Sequence, residues 1–245
     1  MRKFFTLILT ALISIPVITN AESLTIAWRI KPPHQYIENG VEKGILLDRA
    51  RQVFADAKIV VRFSEEPAKR IWNNFTIGTQ NYCSFGWYKI PEREALVQFS
   101  NVFHTDPPHT LLVSQVAAAQ VTAHKTLGSL LSDSSLTLGV VEGVSYGEAI
   151  DSLIKTSQNN QVRSSAAPMI MARMVGANRA SFMFIDREDW EYLHDKEDSM
   201  RETLQIDLKG MPPGLNRYIV CSKDVSAETM RKINLSLAKL LAVKR

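Results

Sequence analysis

The sequence has few cysteines and lacks several short motifs that mark nucleotide or metal enzymes. Only two cysteines occur in 245 residues. There is no Gly-x-Gly-x-x-Gly fingerprint, no Gly-Lys-Ser/Thr phosphate loop and no His-Glu-x-x-His pair. The five histidines show no spacing typical of metal ligands. We therefore expect neither a cofactor nor a metal ion, and no catalytic residue is assigned.

An excess of basic charge is also missing once the N-terminal segment is set aside. Without residues 1–21 the chain keeps 27 basic and 25 acidic side chains, because Arg2 and Lys3 are removed from the 29 basic ones. The remaining lysines and arginines are scattered along the sequence. Nucleic-acid binding requires clustered basic residues, so a nucleic-acid partner is not expected.

The N-terminal segment has the three parts of a secretory signal peptide. Two basic residues precede an apolar stretch from Phe4 to Ile18, and the small residue Ala21 follows before a polar sequence. A membrane anchor is the alternative, but it needs about 20 uninterrupted apolar residues, and Pro16 interrupts this stretch. We predict cleavage after Ala21, export, and a periplasmic location.

The two cysteines, Cys83 and Cys221, are far apart in sequence. Disulfides persist in an exported protein, so a bonded pair is the simplest interpretation. Two buried free thiols remain the alternative, because the sequence does not show whether the two Cα atoms lie within about 7 Å.

Apolar segments alternate with amphipathic ones over the mature chain, which predicts an α/β fold built on mainly parallel sheets. Strands are predicted at 24–28, 58–63, 82–87, 110–113, 136–141, 180–185, 204–208 and 218–221, with one around Val162. Helices are predicted at 44–57, 67–77, 126–132, 146–156, 167–176, 187–195 and 226–242.

Two proline-rich passages divide this alternation. The first is a break at 101–108, which contains Pro107 and Pro108, and the second is residues 209–214. The chain after the second passage is too short for a domain, so its strand and helix are expected to return to the first lobe. This predicts two lobes and two crossovers: residues 22–106 in lobe 1, 107–211 in lobe 2, and 212–245 back in lobe 1.

Three short segments resemble the family 3 solute-binding proteins, which are polar amino-acid-binding members of the type II periplasmic binding fold. They are residues 32–34 (PPH), 91–100 (PEREALVQFS) and 139–145 (GVVEGVS). The similarity follows the family's order over nearly the whole mature chain. It implies a monomeric periplasmic protein that captures a small polar, carboxylate-bearing solute for an ABC-type importer or a sensor, and that is not an enzyme.

The resemblance also implies ligand-binding residues. Arg93 corresponds to the arginine that binds the ligand carboxylate, a role that suits the two parallel donors of guanidinium. A salt bridge to Glu92 or Glu94 is its alternative. Ser145 corresponds to a hydroxyl residue at a helix start, where it can equally be a helix cap.

Asp186 corresponds to the carboxylate that accepts the ligand's ammonium group, and a helix cap is its alternative. It follows a predicted strand, where open α/β sheets bind ligands. Trp28, Trp87 and Tyr88 are candidates for lining the cleft, although aromatic residues beside strands are more often part of a core. In the family, the returning strand is antiparallel to the third strand, which would place Cys221 beside Cys83 in a disulfide.

The chain departs from the family pattern in lobe 1. His34 stands where phenylalanine is common, residues 78–83 (GTQNYC) replace a Gly-x-x-Asp segment, and residues 87–89 (WYK) replace the usual Ser/Thr residues. An ordinary amino-acid ligand is therefore in doubt. An enzyme such as a lyase or dehydratase on the same fold is the main alternative, with His34, Glu142 and Asp186 as acid/base candidates. A member that no longer binds a solute is a third.

Overall fold

The computed structural model describes residues 23–165 and 167–242, so the predicted signal peptide lies outside the described residues. The described elements before the first crossover are β1 Leu24–Trp28, β2 Tyr36–Glu38, β3 Val41–Lys43, α1 Ile45–Asp56, β4 Val61–Glu65, α2 Ala68–Thr76, β5 Tyr82–Tyr88, α3 Pro91–Glu94 and β6 Gln98–Thr105.

The second run of elements comprises β7 Thr110–Val113, α4 Ala118–Ala123, α5 Leu127–Leu131, β8 Thr137–Val141, α6 Glu148–Thr156, β9 Asn160–Ser164, α7 Pro168–Gly176, β10 Phe182–Ile185, α8 Arg187–Lys196, a 3-10 turn at Asp198–Met200, and β11 Leu204–Ile206. After it come β12 Asn216–Cys221 and α9 Ala227–Ala242.

The strands form two five-stranded sheets, and β2 and β3 form a separate hairpin. The first sheet has the order β4-β1-β5-β12-β6, and the second has the order β11-β7-β10-β8-β9. We call the half of the molecule built on the first sheet lobe 1 and the other half lobe 2. The predicted α/β class, the two lobes and the return of the last strand to the first sheet are confirmed.

Each sheet contains a parallel set of strands and one strand that runs against it. In lobe 1, β4, β1 and β5 are parallel, and the returning β12 is antiparallel to both β5 and β6. In lobe 2, β10, β8 and β9 are parallel, whereas β7, which follows the first crossover, is antiparallel to β10. The antiparallel strand in each sheet is therefore the one that enters from the other lobe.

The disulfide between Cys83 and Cys221 is present, as predicted. The two residues are register partners on β5 and β12, and their Cα atoms are 4.0 Å apart. The bond closes a loop of 138 residues and therefore fastens the returning segment to lobe 1. In the chain-entropy model, closing a loop of this length stabilises the fold by about 5 kcal/mol.

Helix α1 shows how the sequence positions the loop after β1. Its apolar residues recur at helical spacing, so one face is buried in the lobe 1 core. Gly44 precedes it with φ 127°, and a Cβ there would lie 2.3 Å from the backbone oxygen of His34. That oxygen accepts a hydrogen bond from the Leu46 amide. Only glycine allows this approach, and it holds the loop containing His34 against the helix.

The two crossovers touch each other between the lobes. The Asp106 amide donates to the Leu215 carbonyl at 2.8 Å. A Cβ at Gly214 would lie 1.7 Å from the backbone oxygen of Asp106, so a side chain at this position would prevent the contact. Glycine at this position is therefore a packing requirement of the crossover region.

Several predicted boundaries are wrong. The break predicted at 101–108 is shorter, because β6 continues to Thr105, where it pairs with Asn216 of β12. The helix predicted at 146–156 begins at Glu148, since Gly147 has φ 90° and interrupts it. The strand predicted at 58–63 starts at Val61, because Lys58 lies in a turn with φ 54°.

Candidate functional site

The ends of strands from both sheets meet where the lobes face each other. Arg29 follows β1, Tyr88 ends β5, and Asp186 follows β10. The carboxyl ends of parallel strands form the crevice in which open α/β sheets bind ligands. The Tyr88 hydroxyl lies 3.5 Å from Asp186 Oδ1, so the two crevices form one cleft between the lobes.

Arg217 of β12 lies at the centre of this cleft and is only 2% exposed. It donates from Nε to Asp106 at 2.8 Å, from Nη1 to the Gly86 carbonyl at 3.1 Å, and from Nη2 to Asp186 at 2.9 Å. Burial alone would lower the pKa of Arg217, but Tyr88, Asp186 and Asp106 raise it above its ordinary value. Arg217 is therefore a permanently charged link between the first sheet, the first crossover and lobe 2.

Lys31 makes a second ionic connection between the lobes. Its Nζ atom lies 2.8 Å from Asp186 Oδ2 and 2.7 Å from Asp189 Oδ2. Burial would raise the pKa of Asp186, but Lys31, a hydrogen bond with His109 and Arg217 hold it well below its ordinary value. Asp186 is thus a carboxylate whose charge is balanced within the protein.

The alternative prediction, that the side chain of Asp186 caps a helix, is wrong. Asp186 occupies the N-cap position of α8, but its side chain accepts no hydrogen bond from the helix amides. It accepts instead from Lys31 and Arg217, and it lies 3.0 Å from His109 Nε2. Asp186 therefore serves the contact between lobes.

Tyr88 joins the same network from the end of β5. Its hydroxyl donates to Asp106 Oδ2 at 2.6 Å and accepts from Arg217 Nη2 at 2.9 Å. Burial, more than any neighbouring charge, raises the pKa of Tyr88 above its ordinary range. The hydroxyl is therefore a neutral donor, and it fixes the orientation of the Asp106 carboxylate.

His34 is fully buried beside the acidic residues of lobe 2. Ligand-capable atoms of His34, Asp186 and Asp189 lie within 4.8 Å of one another, a spacing that can hold a metal ion. The Lys31 ammonium already lies between the two carboxylates and supplies the positive charge that a cation would bring. Burial and the charge of Lys31 lower the pKa of His34, so its imidazole is neutral.

Arg93 lies in the short helix α3 at the rim of lobe 1, and its side chain lies over aromatic rings. Its Cζ atom is 4.7 Å from the ring centroid of Trp72 and 5.2 Å from that of Trp87, and its Nη1 donates to the Tyr88 carbonyl at 2.9 Å. Within the described part of the chain it forms no salt bridge, so the predicted pairing with a neighbouring glutamate is not found. Burial lowers the pKa of Arg93 to about 10, and the side chain remains a cation.

Ser145 lies in the loop between β8 and α6. Its hydroxyl donates to Asp151 at 2.6 Å and accepts from the Gly147 amide at 3.1 Å, so it stabilises the loop without capping the helix. Residues 143–147 also spell Gly-x-Ser-x-Gly, a pattern found at the nucleophile of serine hydrolases. Within residues 23–165 and 167–242 the hydroxyl contacts a carboxylate and no histidine, so it lacks the base of such a nucleophile.

Trp28 is placed differently from the other predicted residues. It is fully buried in the lobe 1 core, and its indole Nε1 has no hydrogen-bond partner among the described residues. Tyr88, Arg93 and Asp186 gather at the cleft, whereas Ser145 and Trp28 do not join their hydrogen-bond network.

The sequence analysis missed several residues of the cleft, among them Arg29, Lys31, Asp189 and Arg217. Arg29 and Lys31 immediately follow β1, and Asp189 lies one helical turn after Asp186, so proximity to strand ends was a usable signal for three of them. Arg217 lies inside β12, where an arginine in an otherwise apolar strand was the signal. No helix in the described part of the chain is long and apolar enough to span a membrane.

Comparisons with known proteins give matches only to solved structures. No protein-family model and no curated protein matches the chain. A structure from work on glutathione import in Streptococcus mutans through GshT and the cystine ABC importer TcyBC is 18% identical, with 91% of both chains covered and a TM-score of 0.70.

Two other structures are similar to the same extent. The GluR0 ligand-binding core in complex with L-glutamate is 16% identical, with 92% of this chain and 95% of that chain covered and a TM-score of 0.71. The arginine-, lysine-, histidine-binding protein ArtJ from Geobacillus stearothermophilus is 14% identical, with 91% and 90% covered and a TM-score of 0.68. The chain therefore has the two-lobed fold of type II periplasmic binding proteins.

Proposed function

We propose that this chain, which folds as a type II periplasmic binding protein, is an exported solute-binding protein. It captures a small polar, carboxylate-bearing solute between its lobes and presents it to an ABC-type permease or a sensor. The observation that carries the proposal is Arg93, a cation at the cleft rim that stacks on Trp72 and Trp87. It forms no ion pair with any described residue, and although Nη1 donates to the Tyr88 carbonyl, the remaining donors of the guanidinium can bind a carboxylate.

The ligands named for two of the solved structures support this proposal. ArtJ is an arginine-, lysine-, histidine-binding protein, and the GluR0 core is in complex with L-glutamate. We assign the ligand carboxylate to Arg93, and we assign Tyr88 to the cleft wall next to it. Trp28 receives no ligand contact, because it is enclosed in the core. The proposed location is the periplasm, and the proposed working form is a monomer.

Catalysis is the weaker alternative, because the acid/base candidates lack suitable surroundings. Asp186 has a pKa well below its ordinary value because Lys31, His109 and Arg217 outweigh the effect of burial, which makes it a poor proton acceptor. His34 is enclosed, and its nearest acidic partner is Asp189 at 3.5 Å. Glu142 is exposed in a loop. Solute binding without chemistry therefore agrees better with these environments.

The proposal includes a hinge at the two crossovers, with lobe boundaries at 106/107 and 211/212. Lobes joined by two extended segments commonly close around a ligand, and partners recognise the closed form. The contact between Asp106 and residues 214–215 ties the two segments together. Small-angle scattering should show a bilobal particle that compacts when the solute binds.

The decisive experiment replaces Arg93 with alanine. The solute is first identified by mass spectrometry of the small molecule that co-purifies with the native protein, and binding is then measured by calorimetry. Loss of one partner of a desolvated ion pair costs about 2–5 kcal/mol, so Arg93→Ala should weaken binding by about 30-fold or more. Arg93→Lys should restore part of the affinity, because an ammonium cannot form the planar pair of hydrogen bonds.

Arg231→Ala is the matched control, because Arg231 is an exposed arginine on α9 that pairs with Glu228. It should leave the affinity unchanged. The melting temperature of each ligand-free variant is measured in parallel. If Arg93→Ala binds the solute as tightly as the wild-type protein, Arg93 is not the carboxylate-binding residue and this mode of recognition is wrong.

A further inference from the structure

Arg29 is a second cation at the cleft that forms no ion pair with the described residues. It directly follows β1, and its Cζ atom lies 3.9 Å from the ring centroid of Trp87. Its Nη1 atom is buried and has no hydrogen-bond partner among the described residues. Buried donors in folded proteins almost always find an acceptor, and leaving one unsatisfied is costly. The missing acceptor at Arg29 therefore points to a group from outside the chain.

The electrostatic environment of Arg29 favours an anion. Burial, followed by the charges of Arg217 and Arg93, lowers the pKa of Arg29 to about 9. The side chain is still protonated at neutral pH, but the neighbouring cations make its charge unfavourable. A bound anion would offset both the burial and the repulsion between guanidinium groups.

Arg29 and Arg93 both lie over the ring of Trp87. Their Cζ atoms lie 3.9 Å and 5.2 Å from the ring centroid of Trp87, and neither forms an ion pair within residues 23–165 and 167–242. Trp87 is itself held by its Nε1, which donates to Ser84 at 2.7 Å. The indole therefore fixes two unpaired guanidinium groups near each other at the end of β5.

The acidic residues of the cleft show the opposite situation. Arg217 pairs with Asp106 and Asp186, and Lys31 pairs with Asp186 and Asp189. The ammonium of Lys31 thus lies where an ammonium group of a ligand would otherwise be attracted. Glu188 is the exception, since its Oε2 has no partner among the described residues. Burial and the nearby carboxylates raise the pKa of Glu188, which moves it towards the neutral acid.

We infer that Arg29 and Arg93 form a two-guanidinium subsite for a solute with two anionic groups, such as a dicarboxylate, and that the solute needs no ammonium group. This inference rests on the proposed function and specifies its substrate class. Each guanidinium takes one anionic group, and Trp87 contacts both guanidinium groups. The carboxylates of lobe 2 bind Lys31 and leave ligand recognition to the cations of lobe 1.

Four five-carbon compounds separate the contributions of a second carboxylate and of an ammonium group. Glutarate has two carboxylates, pentanoate has one, glutamate adds an ammonium to the first, and norvaline adds an ammonium to the second. Calorimetry with purified, ligand-stripped protein should show glutarate binding about 30-fold or more tightly than pentanoate, in line with one charge-assisted pair. Glutamate should bind within about tenfold of glutarate. Succinate and adipate test shorter and longer spacings.

Variants of Arg29 test whether this residue binds the second carboxylate. Arg29→Met keeps an unbranched side chain over Trp87 but removes the donors, so it should abolish the preference for glutarate over pentanoate. Arg29→Lys should restore part of it, and Arg231→Met is the control that should change nothing. Melting temperatures of the ligand-free proteins identify any variant that fails to fold, and the comparison among the four compounds with wild-type protein does not depend on the variants.

The outcomes separate this inference from the proposed function. If pentanoate or norvaline binds as tightly as its two-carboxylate counterpart, the inference is overturned and solute binding stands. If glutamate binds more than about 100-fold more tightly than glutarate, an ammonium is required and the inference is again overturned, with Glu188 as the candidate acceptor. If none of the compounds binds, the charged groups of the molecule that co-purifies test the inference. Two anionic groups support it, and fewer than two overturn it. The absence of any bound or co-purified molecule would contradict the proposed function itself.

Discussion

The two lobes present opposite charges to the cleft, and these charges are not equally satisfied. Lobe 2 contributes Asp186 and Asp189, and both pair with cations of lobe 1. Lobe 1 contributes Lys31, Arg217 and two further arginines, Arg29 and Arg93, for which the described residues provide no ion pair. The acidic residues of lobe 2 therefore form ion pairs with lobe 1, whereas two arginines of lobe 1 form none with the described residues.

This difference separates the forces that close the lobes from those that select a solute. Lys31 and Arg217 connect the lobes directly, and Tyr36 of β2 packs edge to face against Tyr192 of α8, with ring centroids 5.6 Å apart. These contacts join the two lobes across the cleft. Arg29 and Arg93 form no ion pair between the lobes among the described residues, so they remain available for an anion.

The largest expected effect comes from removing the central cation, Arg217. Arg217→Met leaves the buried carboxylates of Asp106 and Asp186 without their partner, and breaking such a pair typically costs about 3–5 kcal/mol. Urea denaturation should show this loss in the free energy of unfolding. Arg231→Met, which removes an exposed pair on α9, should change it by less than about 1 kcal/mol. Equal stability of the two variants would mean that Arg217 does not hold the lobes together.

A smaller effect is expected for Lys31, because its side chain is 19% exposed. Lys31→Met should favour the open arrangement by about 2 kcal/mol, or about 30-fold in the ratio of closed to open molecules. Distance distributions between spin labels on the two lobes would measure this ratio in the ligand-free protein.

Lys239→Met is the control for Lys31, since Lys239 pairs with Asp56 within lobe 1. It should leave the distance distribution unchanged. If Lys31→Met also leaves it unchanged, the ionic contact with Asp186 and Asp189 does not contribute to closure.

The smallest expected effect is on the pH dependence of the free energy of unfolding, and it tests the environment of His104 in lobe 1. Burial is the main cause that lowers the pKa of His104 to about 4, and Arg217, His34 and Arg49 also lower it, while Asp106 opposes them. Between that value and the ordinary pKa of about 6.5, the unfolded chain binds more protons than the folded one. The contribution of His104 to stability is therefore complete above about pH 6.5 and is lost as the pH falls towards 4.

From pH 7 to pH 6, His104 alone should reduce the free energy of unfolding by about 0.7 kcal/mol. Denaturation curves at the two pH values would measure the change, and His104→Gln should reduce it. His34, whose pKa is also lowered, contributes in the same direction, so a remainder is expected. The control His124→Gln removes a histidine that pairs with Asp133 outside the cleft. An unchanged pH dependence in His104→Gln would show that His104 is not a buried neutral histidine.

Much of the fold was predictable because apolar periodicity reports on burial. Strand β7 and strand β1 agree with their predicted bounds, and α9 begins one residue after its predicted start. The hairpin of β2 and β3 was missed, because none of its residues is fully buried and they carry no apolar alternation. Strand β6 was not among the predicted strands, and its last residues are held by pairing with β12, which is more than 100 residues away in sequence.

The candidate site was predictable only in part. Asp186 and Tyr88 were selected by their position at strand ends and by resemblance, and both lie in the cleft. The partner of Asp186 was not predictable, because Lys31 is separated from it by 155 residues and nothing in the local sequence indicates the contact. The roles of Asp186 and Tyr88 in ligand binding stay predictions.

The sequence alone determined the alternation of helices and strands and the two crossovers, because these depend on local periodicity and on the order of segments. The tertiary structure alone decided which charges are neutralised. Lys31 and Arg217 reach carboxylates of the opposite lobe, while Arg29 and Arg93 stack on Trp87 and reach none. An ion pair depends on distances of a few ångströms between residues remote in sequence, and only the packing of the two lobes sets those distances.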